Sequence, residues 1–147
     1  MTEANGMSLL EVLVVLALIA IVGAASVLAH QAMRPALDLQ IATRQVVMDL
    51  RVARMRAVAD NASHRVVFPS GASAYQPQRK TGNAYVDDGM PVALPNGIRI
   101  AGCTATDGGI SFKPRGNAAT FGTVVMRNGK GDVRRVIVDI AGQVRVQ

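Results

Sequence analysis

From Met7 to Ala29 the chain runs for 23 residues with one acid or base, Glu11. At about 1.5 Å per residue, a helix of that length is roughly 35 Å long, enough to cross the ~30 Å hydrocarbon core of a bilayer. Beyond it the pattern becomes amphipathic. Leu39, Ala42, Val46, Leu50, Ala53 and Ala57 recur at i, i+3, i+4 spacing and define one apolar stripe. Ile41, Met48, Val52 and Met55 define a second stripe on roughly the opposite side. A helix with two apolar stripes has two surfaces to cover. One is expected to pack on the chain's own head, the other to meet neighbouring subunits. No proline interrupts Met7–Met33, and Pro35 is the first candidate kink. The helix is expected to stop near Asp60-Asn61, because Asn tolerates the left-handed conformation.

From Asn61 onward the period changes to that of strands, punctuated by Gly and Pro. Arg65–Phe68, Ile98–Ile100 and Ile110–Phe112 are predicted as short strands. Residues 70–97 are predicted to be irregular, on turn signals such as Thr81-Gly82-Asn83 and Asp87-Asp88-Gly89. The last 25 residues give the clearest pattern: Thr123–Arg127, Asn128-Gly129, Val133–Ile140, Ala141-Gly142, Gln143–Val146. X-Gly pairs between alternating apolar runs predict an antiparallel meander. With Val124, Met126, Val136, Val138, Ile140, Val144 and Val146 inward, strand parity places Arg127, Arg135 and Arg145 together outside, with Arg134 nearby. Helix followed by antiparallel sheet predicts an α+β head laid on a long helix.

Glu11 raises the question of what it is for. A carboxylate inside a membrane span costs about 2.5–3.5 kcal/mol on insertion scales, so it calls for a cation. Gly6-Met7-Ser8-Leu9-Leu10-Glu11-Val12 resembles the Gly-Phe-Thr-Leu-Ile-Glu pattern of type IV prepilins and pseudopilins, with Met7 in place of Phe. The resemblance implies cleavage by a prepilin peptidase between Gly6 and Met7, and N-methylation of Met7. It implies too that Glu11 attracts the terminal amine of a neighbouring subunit during filament assembly. Two opposite charges at membrane depth can neutralise each other between chains. Met1–Gly6 holds no Lys or Arg, and the first after the run is Arg34. The positive-inside rule alone would therefore place the C-terminal side in the cytoplasm; the resemblance implies the opposite orientation. Ala20 and Ala24 form a small-xxx-small pair that lets helices pack closely in lipid.

Ile110-Ser111-Phe112-Lys113-Pro114-Arg115-Gly116 and Arg134–Asp139, followed by Gly142-Gln143-Val144-Arg145-Val146, are similar to the C-terminal half of the GspH/FimT minor pseudopilins. The DNA-uptake members of that group often end in Gly-Arg-x-Arg, where this chain has Gly142-Gln143-Val144-Arg145. The net charge is +6, and 13 of the 16 basic residues are Arg. Such a balance favours anionic partners. Arg127, Arg134, Arg135 and Arg145 are the candidate DNA or anion-binding residues. There is no Trp to stack on bases.

Catalytic chemistry finds no support. His30 and His64 lie far apart and in no zinc spacing. Gly129-Lys130-Gly131 lacks the spaced Gly and the Ser/Thr of a phosphate loop. Asn83 with Asp87-Asp88 does not match a calcium loop. Cys103 is the only cysteine and excludes an intrachain disulfide. It is expected to be a small buried apolar residue, with a reactive thiol as the alternative. No enzyme activity, cofactor or metal is expected.

The expected organisation is a prepilin leader (1–6), a transmembrane half-helix (7–29), an amphipathic half-helix (30–60) and a β-rich periplasmic head (61–147). The fold class expected is α+β and pilin-like. The resemblance implies a single-pass protein of the bacterial inner membrane, with its head in the periplasm or on a filament. Its implied partners are other pilins, the peptidase and the membrane. A structural subunit of a type II secretion pseudopilus or a type IV pilus is one function class; a FimT-like DNA-binding subunit is the other.

Overall fold

The structure is a computed structural model and describes residues 9–147, with the side chains of 25–33 outside the description. The expectations for Gly6 and Met7 therefore fall outside the described residues. The chain divides into two compact units at residues 34 and 35. Helix α1 runs Leu9–Ala59.

Within the first unit, every described side chain from Leu9 to Ala24 is exposed. Among the described residues, no helix is long and apolar enough to cross a membrane. The apolar stretch Leu9–Ala24 has 16 residues, about 24 Å of helix against a core of ~30 Å. Of the rest of the expected span 7–29, residues 7 and 8 lie outside the described residues, and 25–29 continue the helix with their side chains outside the description.

In the second unit, Leu39, Ala42, Val46, Leu50, Ala53 and Ala57 are all buried. The alanines keep this face flat, so strands approach the helix closely. Over it lie ten strands in two antiparallel sheets. The first has the order β3-β2-β1-β6-β7, with β4 also paired to β2; the second has the order β10-β9-β8-β5. The strands are β1 (His64–Val67), β2 (Ala74–Thr81), β3 (Ala84–Asp87), β4 (Val92–Ala93), β5 (Arg99–Cys103), β6 (Gly109–Phe112), β7 (Ala118–Thr120), β8 (Gly122–Arg127), β9 (Val133–Val138) and β10 (Val144–Val146). Both sheets turn inward residues onto the same helix stripe: Val66, Ile110 and Phe112 from the first, Ile100, Val124, Met126, Val136 and Val138 from the second. The free edge of β5 is covered by the loop after β1, through Gly71 N to Ile100 O at 2.7 Å and Ile100 N to Ala72 O at 2.9 Å. That pairing removes an open strand edge and joins the two sheets.

The helix stops as expected, with Asn61 at φ 47°. Three expectations change. Residues 70–97 are not irregular throughout, because they contain the β2–β3 hairpin, closed at Thr81↔Ala84 around Gly82-Asn83. Ile140 is not a core residue: β9 ends at Val138, and Gly142 N bonds Asp139 O at 2.9 Å to form a turn. Val146, the penultimate residue, is exposed as well. The connection after β8 is the five-residue loop 128–132, between the strand ends Arg127 and Val133 that the pattern predicts. Asn128 is buried there, and its Oδ1 accepts from the N–H of Lys130 at 3.0 Å and of Asp132 at 2.9 Å. The side chain thus satisfies two loop donors that a tight hairpin would have paired with backbone.

Candidate functional site

Glu11 lies in the first turn of α1 and is the only acid or base among the exposed residues Leu9–Ala24. A helix apolar on every side and covered by nothing of its own must be covered by lipid or by other helices.

The outer side of α1 in the second unit is also uncovered. Ile41, Met48 and Met55 are exposed, as the second stripe predicts. Val52 is not in that exposed row. It is half-buried in a groove of about 280 Å³ beside Ala53, His64 and Val92. Leu37 and Val58, which the sequence pattern did not single out, extend the row at both ends.

The sheet carries the basic face. Arg127 pairs with Val133, Arg135 with Val125, and Arg145 with Ile137, which is itself opposite Thr123. Paired residues and every second residue along a strand share a face. Arg127, Arg135 and Arg145 therefore form a diagonal across β8, β9 and β10, with neighbours about 7–8 Å apart. Arg134 is opposite Met126, which is buried, so it belongs to the other face and sits exposed at its margin. Arg99 is a basic residue that the sequence reading missed. It pairs directly with Arg127 and joins the diagonal. Its outward direction was legible from Ile98 and Ile100, but the β5–β8 pairing was not. Arg145 Nη2 donates to Gln143 Oε1 at 3.1 Å and lies 3.9 Å from Asp139 Oδ2. Gln143 thus holds Arg145.

Two polar clusters tie α1 to the sheets. Tyr75 is buried, and its hydroxyl donates to Asp49 on the helix. Burial pushes the phenol well above its ordinary pKa, and the hydrogen bond and negative charge of Asp49 push it further. His64 is buried, with Nε2 2.9 Å from Asp60 Oδ2 and Nδ1 3.6 Å from Asp88 Oδ2. Arg56 Nη1 lies 3.1 Å from the same Asp88 oxygen. An imidazole between two carboxylates resembles part of a catalytic relay, but every group here has a structural partner. The cluster closes the end of α1 onto β1 and the loop after β3. Among the described residues, no three His, Cys, Asp or Glu side chains could hold a metal.

The arrangement is one of surfaces rather than a reaction centre, and comparison with known proteins agrees. A family model described as the prokaryotic N-terminal methylation motif matches residues 1–27, and that of type II transport protein GspH matches residues 42–142. The chain belongs to the GspH family. It is a minor pseudopilin of type II secretion that carries the N-terminal methylation motif, and its family is structural rather than enzymatic. Membership implies assembly with other pseudopilins and processing by a prepilin peptidase, and the motif implies an inner-membrane-anchored prepilin. No curated protein sequence matches the chain.

Solved structures share the fold. The minor pseudopilin EpsH from the type 2 secretion system of Vibrio cholerae matches at TM-score 0.60 and 14% identity, covering 75% of this chain and 96% of that one. A second EpsH structure matches at TM-score 0.61 and 13% identity, covering 74% and 92%. The type IV minor pilin FimU of Pseudomonas aeruginosa matches at TM-score 0.60 and 13% identity, covering 76% and 90%. The pseudopilin thus has the α+β pilin-like fold, a helix packed on antiparallel sheets.

Proposed function

We propose that this pseudopilin enters its filament through Glu11, which pairs with the N-methylated amine of Met7 on a neighbouring subunit after cleavage at Gly6-Met7. The carrying observation is the lone carboxylate among the otherwise apolar and exposed residues Leu9–Ala24. A single charge in that setting is costly in lipid and becomes tolerable once a cation neutralises it. In this reading residues 1–6 are the leader, 7–29 the membrane anchor, 30–60 the amphipathic half-helix and 61–147 the head, held on the periplasmic side. Intact-mass and N-terminal peptide analysis of membrane-extracted protein should give a chain beginning at methylated Met7. Glu11→Ala should leave membrane levels unchanged and lower crosslinking to other pilins; unchanged crosslinking refutes the contact.

A second reading, capture of duplex DNA by the basic face, is favoured by one observation. Arg99, Arg127 and Arg135 share a face, and among the described residues none of the three has an ion-pair partner. Here the affinity should fall with salt by about 0.9 log units per log unit for each phosphate neutralised. Arg135→Ala with Arg145→Ala should flatten the slope by up to about two. Weak binding that these substitutions leave unaltered returns the face to a purely structural role.

A further inference from the structure

The outer row of α1 has a regularity that burial by its own head does not explain. Leu37, Ile41, Arg44, Met48, Arg51, Met55 and Val58 are spaced 4, 3, 4, 3, 4, 3. That is a strict 3.5-residue period, the seam geometry of two helices packed at a shallow crossing angle. All seven face solvent: Leu37 is 50% exposed, Ile41 54%, Met48 57%, Met55 62% and Val58 55%, with Arg44 and Arg51 exposed between them. Single exposed apolar side chains are ordinary. Five in one register, over about 32 Å of helix, form a contiguous surface.

The two arginines select what covers it. Neither has an ion pair among the described residues, whereas Arg54 and Arg56 on the flank are bonded to Gly116 O and Asp88. Covering Arg44 and Arg51 with an apolar surface would strand two charges, so the occupant must bring carboxylates. A second copy cannot supply them. In-register parallel pairing sets Arg44 on Arg44. The acids of this helix segment and its end are Asp38, Asp49 and Asp60, none of them seven residues apart. Asp49 is already bonded by Tyr75 and Asp60 by His64.

We propose that this seam docks the helix of a different pilin-like subunit, one with apolar residues at 3.5-residue spacing and two carboxylates about seven residues apart, facing Arg44 and Arg51. The proposal deepens the assembly reading and rests on it; Arg44 and Arg51 become the residues that decide which neighbour sits here.

The test uses the full chain in its own membrane, with a photo-crosslinking amino acid placed either at Met48, in the seam, or at Leu13, in the N-terminal half. The expected Met48 adduct maps, by mass spectrometry, to a helix of another chain with that acid spacing. Arg44→Glu with Arg51→Glu should cut the adduct at least about tenfold, since like charges across an interface are strongly disfavoured. Arg44→Lys with Arg51→Lys should retain most of it. The Leu13 adduct should persist in all three proteins. A Met48 adduct to a second copy, to lipid or to an acid-free segment overturns the proposal, as does an adduct insensitive to charge reversal. Loss of the Met48 adduct alone in the unmutated seam overturns the seam and leaves assembly standing; loss of both adducts overturns the assembly reading itself.

Discussion

Removing the hydroxyl of Tyr75 should separate the head from its helix energetically while leaving the core filled. Tyr75→Phe keeps the ring that packs against Phe68, with centroids 5.3 Å apart. It deletes the hydroxyl that donates to Asp49 and also meets the side chain of Gln45. Hydrogen bonds to charged groups contribute about 1.5–3 kcal/mol, and the half-buried Asp49 loses its donor. With an m-value of roughly 1–3 kcal/mol/M in urea, the midpoint should fall by about 1 M. The measurement is urea unfolding of the full chain in mild detergent, followed by near-ultraviolet circular dichroism. A cycle with Asp49→Ala isolates the pair: its coupling should exceed the ~0.5 kcal/mol within which independent sites add.

The same bond predicts an alkaline signature. The folded phenol is held protonated above its ordinary value by burial and by Asp49. A group whose folded pKa is raised contributes its full stability below the unfolded pKa of about 10 and loses it as pH climbs past that value. Between pH 10 and 11 the native protein should therefore lose up to about 1.4 kcal/mol more than Tyr75→Phe, since one pH unit is worth that much per proton. Additive mutants together with parallel pH curves would refute this account of how the sheet is fastened to α1.

Two further outcomes follow from the packing. Gly142→Ala should cost at least about 2 kcal/mol, because φ is +77° and an added Cβ would lie 2.5 Å from Gly116 O; Gly142→Asn should recover little, since its Cβ meets the same oxygen, and equal urea midpoints for Gly, Asn and Ala would refute the argument. Burial pushes the Cys103 thiol up from its ordinary value, so maleimide labelling at pH 8 should be slow in the folded chain and fast in urea; equal rates would restore the reactive-thiol alternative.

What was legible in the sequence was what local periodicity controls. The inner stripe from Leu39 to Ala57 is buried residue for residue, because a 3.6-residue period on a long helix leaves one register. Val124, Met126, Val136 and Val138 face inward for the matching reason in strands. The β2–β3 hairpin was not legible, because its polar run Gln76-Pro77-Gln78-Arg79-Lys80 has no apolar alternation, and its pairing with β1 is set by tertiary context. Ile140 fails since parity continues past the point where the strand turns. Arg99 required knowledge of which strands pair, whereas the place of Arg134 on the face of Val136 follows from strand parity alone. The His64 cluster joins i, i+4 residues across a helix end, with Asp88 brought in from a loop; no sequence spacing announces it.

The distribution of arginines bears on why the protein would join others rather than itself. Arg54, Arg56 and Arg65 are spent inside the fold on a carbonyl, a carboxylate and Gln78. Arg44 and Arg51 on the helix, and Arg127, Arg134 and Arg135 on the sheet, have no ion pair among the described residues. Because the inner stripe and the inner sheet faces share one core, the outer seam and the outer sheet face point to opposite sides of it. A domain positive on both sides repels its own copies and attracts acidic neighbours. The apolar half of the seam supplies adhesion, and its two cations restrict that adhesion to helices that can neutralise them. Replacing Arg44 and Arg51 by Leu would therefore be a gain of adhesion and a loss of choice. The chain should then associate with itself, a consequence opposite in sign to that expected if the arginines merely kept the surface soluble beside an unrelated contact.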